Sequence, residues 1–273
     1  MRKDIFLPLL ALLGGGVGFV LRLWQLSSGF DRETQLFRPG LPATWVLLAV
    51  LALLAVLFLL LPRGSAAPVD YAQAFYCPSA CYMTLMAAGG FVLLASAALG
   101  VLEGMGQLRI GLSSTGPIMQ LLTAVLAVPA GLAALLLGKG NYRGHLPQIH
   151  PLLAALWAYL PLPWIVEVYQ NNSRQPATML YLFPLLAVIA TTLAFYYGVC
   201  FAFDGHRPRL CLFFSLMGVV LLLTALADRP SLFHAALSLG CVLLLLAQSY
   251  SLIRNTCGPY WPAPQTEDNT PAA

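Results

Sequence analysis

The chain contains eight long apolar stretches, and the short loops between them hold most of its charged residues. A lipid bilayer accepts a backbone only where its hydrogen bonds close within helices or a sealed barrel, and these stretches are too long for barrel strands. The sequence therefore predicts an all-α, polytopic transmembrane helical bundle with about eight spans. We expect these spans near Ile5–Leu26, Ala43–Leu61, Cys81–Leu102, Ile118–Leu137, Leu152–Tyr169, Ala177–Phe203, Leu210–Ala227 and Leu232–Ile253.

Composition supports the same class. Hydrophobic residues make up 59% of the chain and charged residues only 9%, against about 25% charged residues in a soluble domain. We therefore expect one transmembrane domain over residues 1–254 and a polar, proline-containing tail over residues 255–273. The net charge of +4 is what membrane-anchoring residues alone supply, so the expected partner is the lipid bilayer and not nucleic acid.

The fifth stretch is the least regular of the eight. Pro161 and Pro163 interrupt its helical hydrogen bonds, and Glu167 shortens its apolar run. It can be a kinked span or a re-entrant pair of half-helices. We favour the kinked span; the alternative is seven crossings, which places the C-terminus on the opposite side of the membrane.

Orientation follows from the lysine and arginine residues of the loops, which are enriched on the cytoplasmic side. With the N-terminus inside, eight basic residues face the cytoplasm and six face outward, and three of those six lie in or beside the first loop. We therefore expect both termini in the cytoplasm. The inner set is Arg2, Lys3, Arg63, Lys139, Arg143, Arg207, Arg209 and Arg254, and the outer set is Arg22, Arg32, Arg38, Arg109, Arg174 and Arg229.

Charged residues near the ends of apolar spans are the candidate functional groups, because a charge in lipid is costly and usually faces a partner or a water-filled cavity. The alternative is that they are interfacial residues or local ion pairs. Asp31 and Glu33 belong to a loop, Ser27 to Pro42, that either pairs its own charges or covers the bundle. Asp228 opens a tight turn, Asp228–Ser231, that predicts a helical hairpin between the last two spans. The candidates are Arg22, Asp31, Glu33, Glu103, Glu167, Asp204 and Asp228.

Two pairs of glycines stand four residues apart, Gly14 with Gly18 and Gly100 with Gly104. Small residues at this spacing let transmembrane helices approach closely. The pairs predict either helix packing within the chain or a protein partner or homo-oligomer that docks on one of these faces.

No group of residues has the type and spacing of a known catalytic, cofactor or metal site. Cys77 and Cys81 are the nearest to a zinc or disulfide pattern, but structural zinc usually takes four ligands. Gly138-Lys139-Gly140 lacks the remaining residues of a phosphate loop. Asp204 lies in a segment similar to part of the CDP-alcohol phosphatidyltransferase motif, whose other aspartate positions are apolar here. We therefore expect no cofactor, and an enzymatic activity is not predicted.

Three segments resemble a group of multispanning membrane proteins from gut-dwelling Gram-positive anaerobes. They are Gly29-Phe30-Asp31-Arg32-Glu33-Thr34-Gln35-Leu36-Phe37, Phe195-Tyr196-Tyr197-Gly198 with Phe201-Ala202-Phe203, and Thr224-Ala225-Leu226-Ala227-Asp228. The resemblance implies a multi-pass protein of the bacterial cytoplasmic membrane. It implies no activity and no functional residue.

Two functions follow from these observations. The first is a non-catalytic membrane protein with a partner-binding, envelope or accessory role, which the lack of a polar site favours. The alternative is a small-molecule permease or channel-like carrier with a cavity near the proline-broken helices of spans four to six, since broken helices expose backbone groups to a cavity. The prolines concerned are Pro129, Pro161, Pro163 and Pro184.

Overall fold

The computed structural model describes residues 3–29, 41–62, 68, 70–109, 115–172, 178–203, 205 and 207–258. These residues are 89% helical and include no β-strand, which confirms the predicted fold class. The helices are α1 (Lys3–Gly29), α2 (Pro42–Leu60), α3 (Tyr71–Phe75), α4 (Ala80–Arg109), α5 (Thr115–Arg143), α6 (His150–Tyr159), α7 (Pro161–Asn172), α8 (Thr178–Cys200), α9 (Pro208–Ala225) and α10 (Leu232–Cys257).

Eight segments are long and apolar enough to cross a membrane, and each matches one predicted span. The fifth consists of α6 followed directly by α7, with Leu160 between them in a helical conformation. Pro161 and Pro163 have no N–H to donate to the preceding turn, so the helix breaks there but the chain continues in the same span. This geometry agrees with the kinked span.

The last helix, α10, occupies the centre of the bundle. In the most apolar 18-residue segment of α10, 78% of the residues are buried within the molecule. The corresponding share is 28% in α1 and in α2. It contacts α1, α4, α8 and α9 along its length, and α3 at its C-terminal end. Outside this centre, α2 packs on α1 and α9, α5 packs on α4, and the α6–α7 span fills the gap between α5 and α8.

Hydroxyl side chains are buried along α10 without leaving unpaired donors. Ser238 donates to the His234 carbonyl at 2.7 Å, and Ser251 and Thr256 make the same bond to the preceding turn. Such bonds let serine and threonine enter an apolar interior at little cost. This explains how α10 is central although its sequence is not uniformly apolar.

The turn between α9 and α10 forms the predicted helical hairpin. A 3-10 turn at Leu226–Asp228 ends α9, and Arg229 adopts a left-handed conformation with φ 53°. Ser231 then caps α10, accepting a hydrogen bond from the His234 N–H. Serine is among the preferred residues for this capping position, and Pro230 directly precedes it.

A short helix, α3, was not predicted. Asp70 caps it by accepting the Tyr71 N–H at 2.6 Å, and Asn255 of α10 donates to the carbonyl oxygens of Ala74 and Tyr76 at 2.9 Å. The last helix ends at Cys257, three residues beyond the predicted domain limit, so that Asn255 belongs to the bundle.

The predicted glycine pairs both lie at helix contacts within the chain. A Cβ added at Gly14 would meet Leu54 of α2 at 2.7 Å, and Gly18 faces Thr224 of α9. Gly100 is equally close to Ala124 and Phe233. Packing within the chain therefore accounts for these glycines, and a partner or homo-oligomer on these faces stays a prediction.

The closest backbone approach involves two other glycines. A Cβ on Gly131 of α5 would lie 2.9 Å from the Gly90 carbonyl oxygen, and a Cβ on Gly90 would lie 3.0 Å from the Gly131 carbonyl oxygen. Backbone cannot move aside as a flexible side chain can. The α4–α5 pair therefore depends on these two residues.

We expect Gly131→Ala to lower the free energy of unfolding by about 1–3 kcal/mol, because the added methyl group overpacks a backbone contact. Gly106→Ala is the matched control in α4, since nothing lies within 4 Å of a Cβ at that site. Thermal unfolding in detergent micelles measures both. Equal melting temperatures for the two variants would contradict the close α4–α5 contact.

Candidate functional site

Polar side chains collect at one end of the bundle, where α1, α4, α7 and α9 end and α2, α5, α8 and α10 begin. Four of the predicted candidates lie there: Arg22, Glu103, Glu167 and Asp228. Direct contacts join these side chains to the neighbouring helices. The other three, Asp31, Glu33 and Asp204, lie outside the described residues.

Arg22 and Asp228 form a partly buried ion pair between the first span and the α9–α10 turn. Arg22 is fully buried, and its Nε and Nη2 atoms lie 2.9 and 2.8 Å from Asp228 Oδ1. Its Nη1 donates to Gln25 Oε1 at 2.7 Å, and the guanidinium carbon sits 4.6 Å from the centre of the Phe183 ring. Gln25 in turn donates to Thr44 of α2 at 2.9 Å. The arginine thus holds together α1, α2, α8 and the hairpin turn.

Glu167 and His234 form a second polar pair beside the first. Glu167 is only 2% exposed, and both of its carboxylate oxygens lie 3.1 Å from His234 Nε2. The other ring nitrogen, Nδ1, lies 3.0 Å from Ser231 Oγ. The rings of Trp164 and Phe233 lie 6.0 and 4.7 Å from the imidazole. The imidazole is therefore fixed by contacts on both nitrogens and by two aromatic neighbours.

Glu103 completes the polar cluster by capping the start of α10. Its Oε1 accepts the Phe233 N–H at 3.2 Å, and its Oε2 accepts a hydrogen bond from Gln120 at 3.3 Å. A carboxylate at a helix N-terminus is favoured by the helix dipole. This contact gives Glu103 a structural role.

A cavity of about 350 Å³ lies at this end of the bundle, between the residues that the structure describes. Its walls come from α7, α8, α9, α10 and the hairpin turn, with Leu26 of α1 at one edge. Two carboxylates, one imidazole and two aromatic side chains with polar tips contribute to a lining that is otherwise mostly apolar. These five residues are Glu167, Asp228, His234, Trp164 and Tyr181.

The cavity lies beside two of the proline-containing spans named by the permease hypothesis. Pro184 of α8 is part of its wall, and α7 supplies Trp164 and Glu167 after the break at Leu160. Pro129 of the fourth span is not among the lining residues described. The cavity is therefore next to spans five and six, with the last two spans completing it.

Sequence reasoning missed His234 and Ser231. One signal was available: serine directly after Asp228-Arg229-Pro230, with histidine three residues later, is a capping arrangement that places the imidazole on the first turn of α10. Glu167 contacts this imidazole from another span. This contact depends on tertiary packing, which a local sequence pattern does not reveal.

At the opposite end of the bundle, hydrogen-bonded aromatic residues pack closely together in the part of the chain that the structure describes. Asn141 Nδ2 donates to the Tyr82 hydroxyl at 2.8 Å, and the Asn141 carbonyl accepts the Cys77 N–H at 3.1 Å. Burial raises the pKa of the Tyr71 hydroxyl well above its ordinary value, so that it stays protonated. A space of only about 10 Å³ remains between these side chains.

The cysteine pattern yields no metal centre in the part of the chain that the structure describes. Cys77 is buried and Cys81 is exposed. Among the described residues, no three histidine, cysteine, aspartate or glutamate side chains come together as metal ligands.

Comparison with known proteins adds no assignment: no protein family, no curated protein and no solved structure matches this chain.

We expect Arg22→Gln to lower the free energy of unfolding by about 1–3 kcal/mol, because it leaves the partly buried Asp228 carboxylate beside a neutral partner. Arg229→Gln is the matched control, since Arg229 is exposed and one residue away from the same aspartate; its effect should stay within about 0.5 kcal/mol. Thermal or SDS-induced unfolding in micelles distinguishes the two. Similar losses of unfolding free energy from both substitutions would show that Arg22 does not stabilise the bundle through its contact with Asp228.

Proposed function

We propose that this integral membrane protein is a carrier that binds a small solute in the cavity at the α7–α10 end of the bundle. One observation carries the proposal: a cavity of about 350 Å³ contains Glu167, His234 and Asp228. Ionisable groups within a membrane bundle are costly and typically mark solute, ion or proton pathways. Cavities of this size, mostly apolar with a few polar groups, are typical of small-molecule sites.

The lining favours a solute with hydrogen-bond donors or a positive charge. Glu167 and Asp228 offer carboxylates, and the Trp164 and Tyr181 rings offer aromatic faces. No lysine or arginine is among the lining residues described; Arg22 lies behind Asp228 and is engaged by it. Stacking and charge attraction would therefore act together on such a solute.

The close packing at the opposite end supports a carrier over an open channel. Only about 10 Å³ separates the side chains around Asn141 and Tyr82. Buried polar groups lie between the two ends, among them Thr191, Ser215 and Gln248. A carrier exposes its site to one side at a time, and we assign the cavity to a state accessible from the α7–α10 end.

A non-catalytic accessory role was the interpretation favoured by the sequence, on the ground that the chain lacks a polar site. Glu167, His234 and Asp228 line one cavity and together form a polar site. The reason for favouring the accessory role therefore no longer applies. No contact in the described part of the chain favours the accessory role specifically, so the carrier is the function we propose.

The direction of access follows from the predicted topology. If both termini lie in the cytoplasm of a bacterial cell, the odd-numbered spans end at the outer surface. The cavity would then open to the outside. This orientation is part of the proposal and is tested together with it.

Cysteine accessibility provides the test. In a variant in which the six native cysteines are replaced, a cysteine at Ser238, which lines the cavity, should react in intact cells with a membrane-impermeant maleimide. A cysteine at Ser249, buried on the same helix, is the matched control and should not react. Failure of Ser238→Cys to react from outside would contradict the predicted access.

Alternating access is tested at the other end of the bundle, around Asn141 and Tyr82. A cysteine at Val199, which borders the small space there, should react slowly with a maleimide applied to inside-out vesicles. Prior modification of the Ser238 cysteine should suppress this reaction, because both ends of a carrier do not open together. Unchanged labelling of Val199→Cys would show a static cavity and overturn the carrier.

A further inference from the structure

Ser231, His234 and Glu167 form a continuous hydrogen-bonded chain, in which His234 and Glu167 line the cavity. Ser231 Oγ lies 3.0 Å from His234 Nδ1, and His234 Nε2 lies 3.1 Å from both Glu167 oxygens. We propose that Ser231 is a catalytic nucleophile for acyl transfer, with His234 as its base and Glu167 as the residue that positions the imidazole. The inference uses the same cavity as the proposed carrier but does not require transport.

The proposed chemistry requires one arrangement of protons, with His234 neutral and Glu167 ionised. A carboxylate only accepts hydrogen bonds, so the proton of a neutral His234 must be on Nε2, the atom that faces Glu167. Nδ1 is then an acceptor, and the Ser231 hydroxyl must donate to it. This is the proton arrangement that activates a serine for attack: the base holds the hydroxyl proton and a carboxylate stabilises the imidazolium that forms.

Solvent exposure increases from Glu167 through His234 to Ser231. Glu167 is 3% exposed at its side chain and His234 is 17% exposed, while Ser231 is an exposed residue. The acid is thus shielded from water, and the hydroxyl is reachable by a substrate. Two residues that flank or follow Ser231, Pro230 and His234, line the cavity, so a substrate bound there would lie beside the hydroxyl.

The start of α10 supplies electrostatic stabilisation. Glu103 accepts the Phe233 N–H, and Ser231 Oγ accepts the His234 N–H. We assign the oxyanion to the N–H of Leu232, the residue after the proposed nucleophile. Backbone N–H groups at a helix N-terminus stabilise a developing negative charge, and the residue after a nucleophilic serine often provides one.

The reaction balances with an ester and water alone. As Ser231 Oγ bonds to the ester carbonyl carbon, its proton passes to His234 Nδ1 and the carbonyl electron pair moves onto oxygen. Collapse breaks the bond to the alcohol, which takes the proton from His234 and leaves an acyl-serine. Water then attacks with the same base, and Ser231 and the free acid are regenerated. The apolar wall of the cavity fits an ester with an apolar acyl group.

An alkyl fluorophosphonate probe tests the proposal on the full-length protein in micelles. It reacts with an activated serine by forming an Oγ–P bond and releasing fluoride. We expect the wild type to be labelled at Ser231, as located by peptide mass spectrometry. His234→Gln should slow labelling by about 10²-fold or more, the usual contribution of a general base.

Ser231→Asn is the decisive variant, because asparagine keeps the helix cap but has no hydroxyl nucleophile. Its melting temperature should match the wild type while labelling is lost. Ser249→Ala, a matched control on the same helix whose hydroxyl donates to the Leu246 carbonyl away from the cavity lining, should label normally. An unlabelled wild type, or equal labelling of wild type and Ser231→Asn, would overturn the proposal and leave Ser231 as a helix cap only.

The role of Glu167 has its own readout. In ¹⁵N-histidine protein, His234 should carry its proton on Nε2, and Glu167→Gln, which keeps an acceptor but loses the charge, should slow labelling without changing the melting temperature. A tautomer with the proton on Nδ1 would contradict the assignment. None of these results depends on the access of Ser238→Cys, so the nucleophile and the carrier can fail separately.

Discussion

A buried arginine in the first span sets the arrangement of this bundle's functional end. A guanidinium within a membrane is costly unless it is paired, and Arg22 pairs with Asp228, 206 residues further along the chain. Pairing them draws the end of α1 against the α9–α10 turn. Through Gln25 and Thr44 the same arginine also positions the start of α2. The first span thus closes one side of a cavity that the later spans build.

The start of α10 is the second organising element. Two side chains from different parts of the chain meet there because a helix N-terminus leaves backbone donors that need acceptors. Glu103 from α4 and Ser231 from the turn satisfy two of them. His234, on the first turn, then faces Glu167 of α7. One helix end therefore provides both the anchor for the bundle and the polar wall of the cavity.

Much of the fold was predictable from the sequence, because bilayer thickness and the cost of unpaired backbone groups leave few alternatives. The eight spans follow from apolar length alone, and the break at Pro161 follows from its missing N–H. The hairpin turn follows from Asp228–Ser231.

The short helix Tyr71–Phe75 was not predicted, because five residues give no periodic signal. Arg22, Glu103, Glu167 and Asp228 were identified as costly charges, but their partners depend on contacts 17 to 206 residues apart. No local pattern encodes which spans face each other, so His234 and Ser231 were not identified.

The central claim is that Arg22 and Asp228 interact directly and thereby fix the end of the bundle. A double-mutant cycle with Arg22→Gln, Asp228→Asn and the combined variant measures this interaction from the free energies of unfolding in micelles. We predict a coupling energy of at least about 1.5 kcal/mol, as found for close and desolvated charge pairs. Effects that add to within about 0.5 kcal/mol would mean that the two side chains act independently, and would contradict the account.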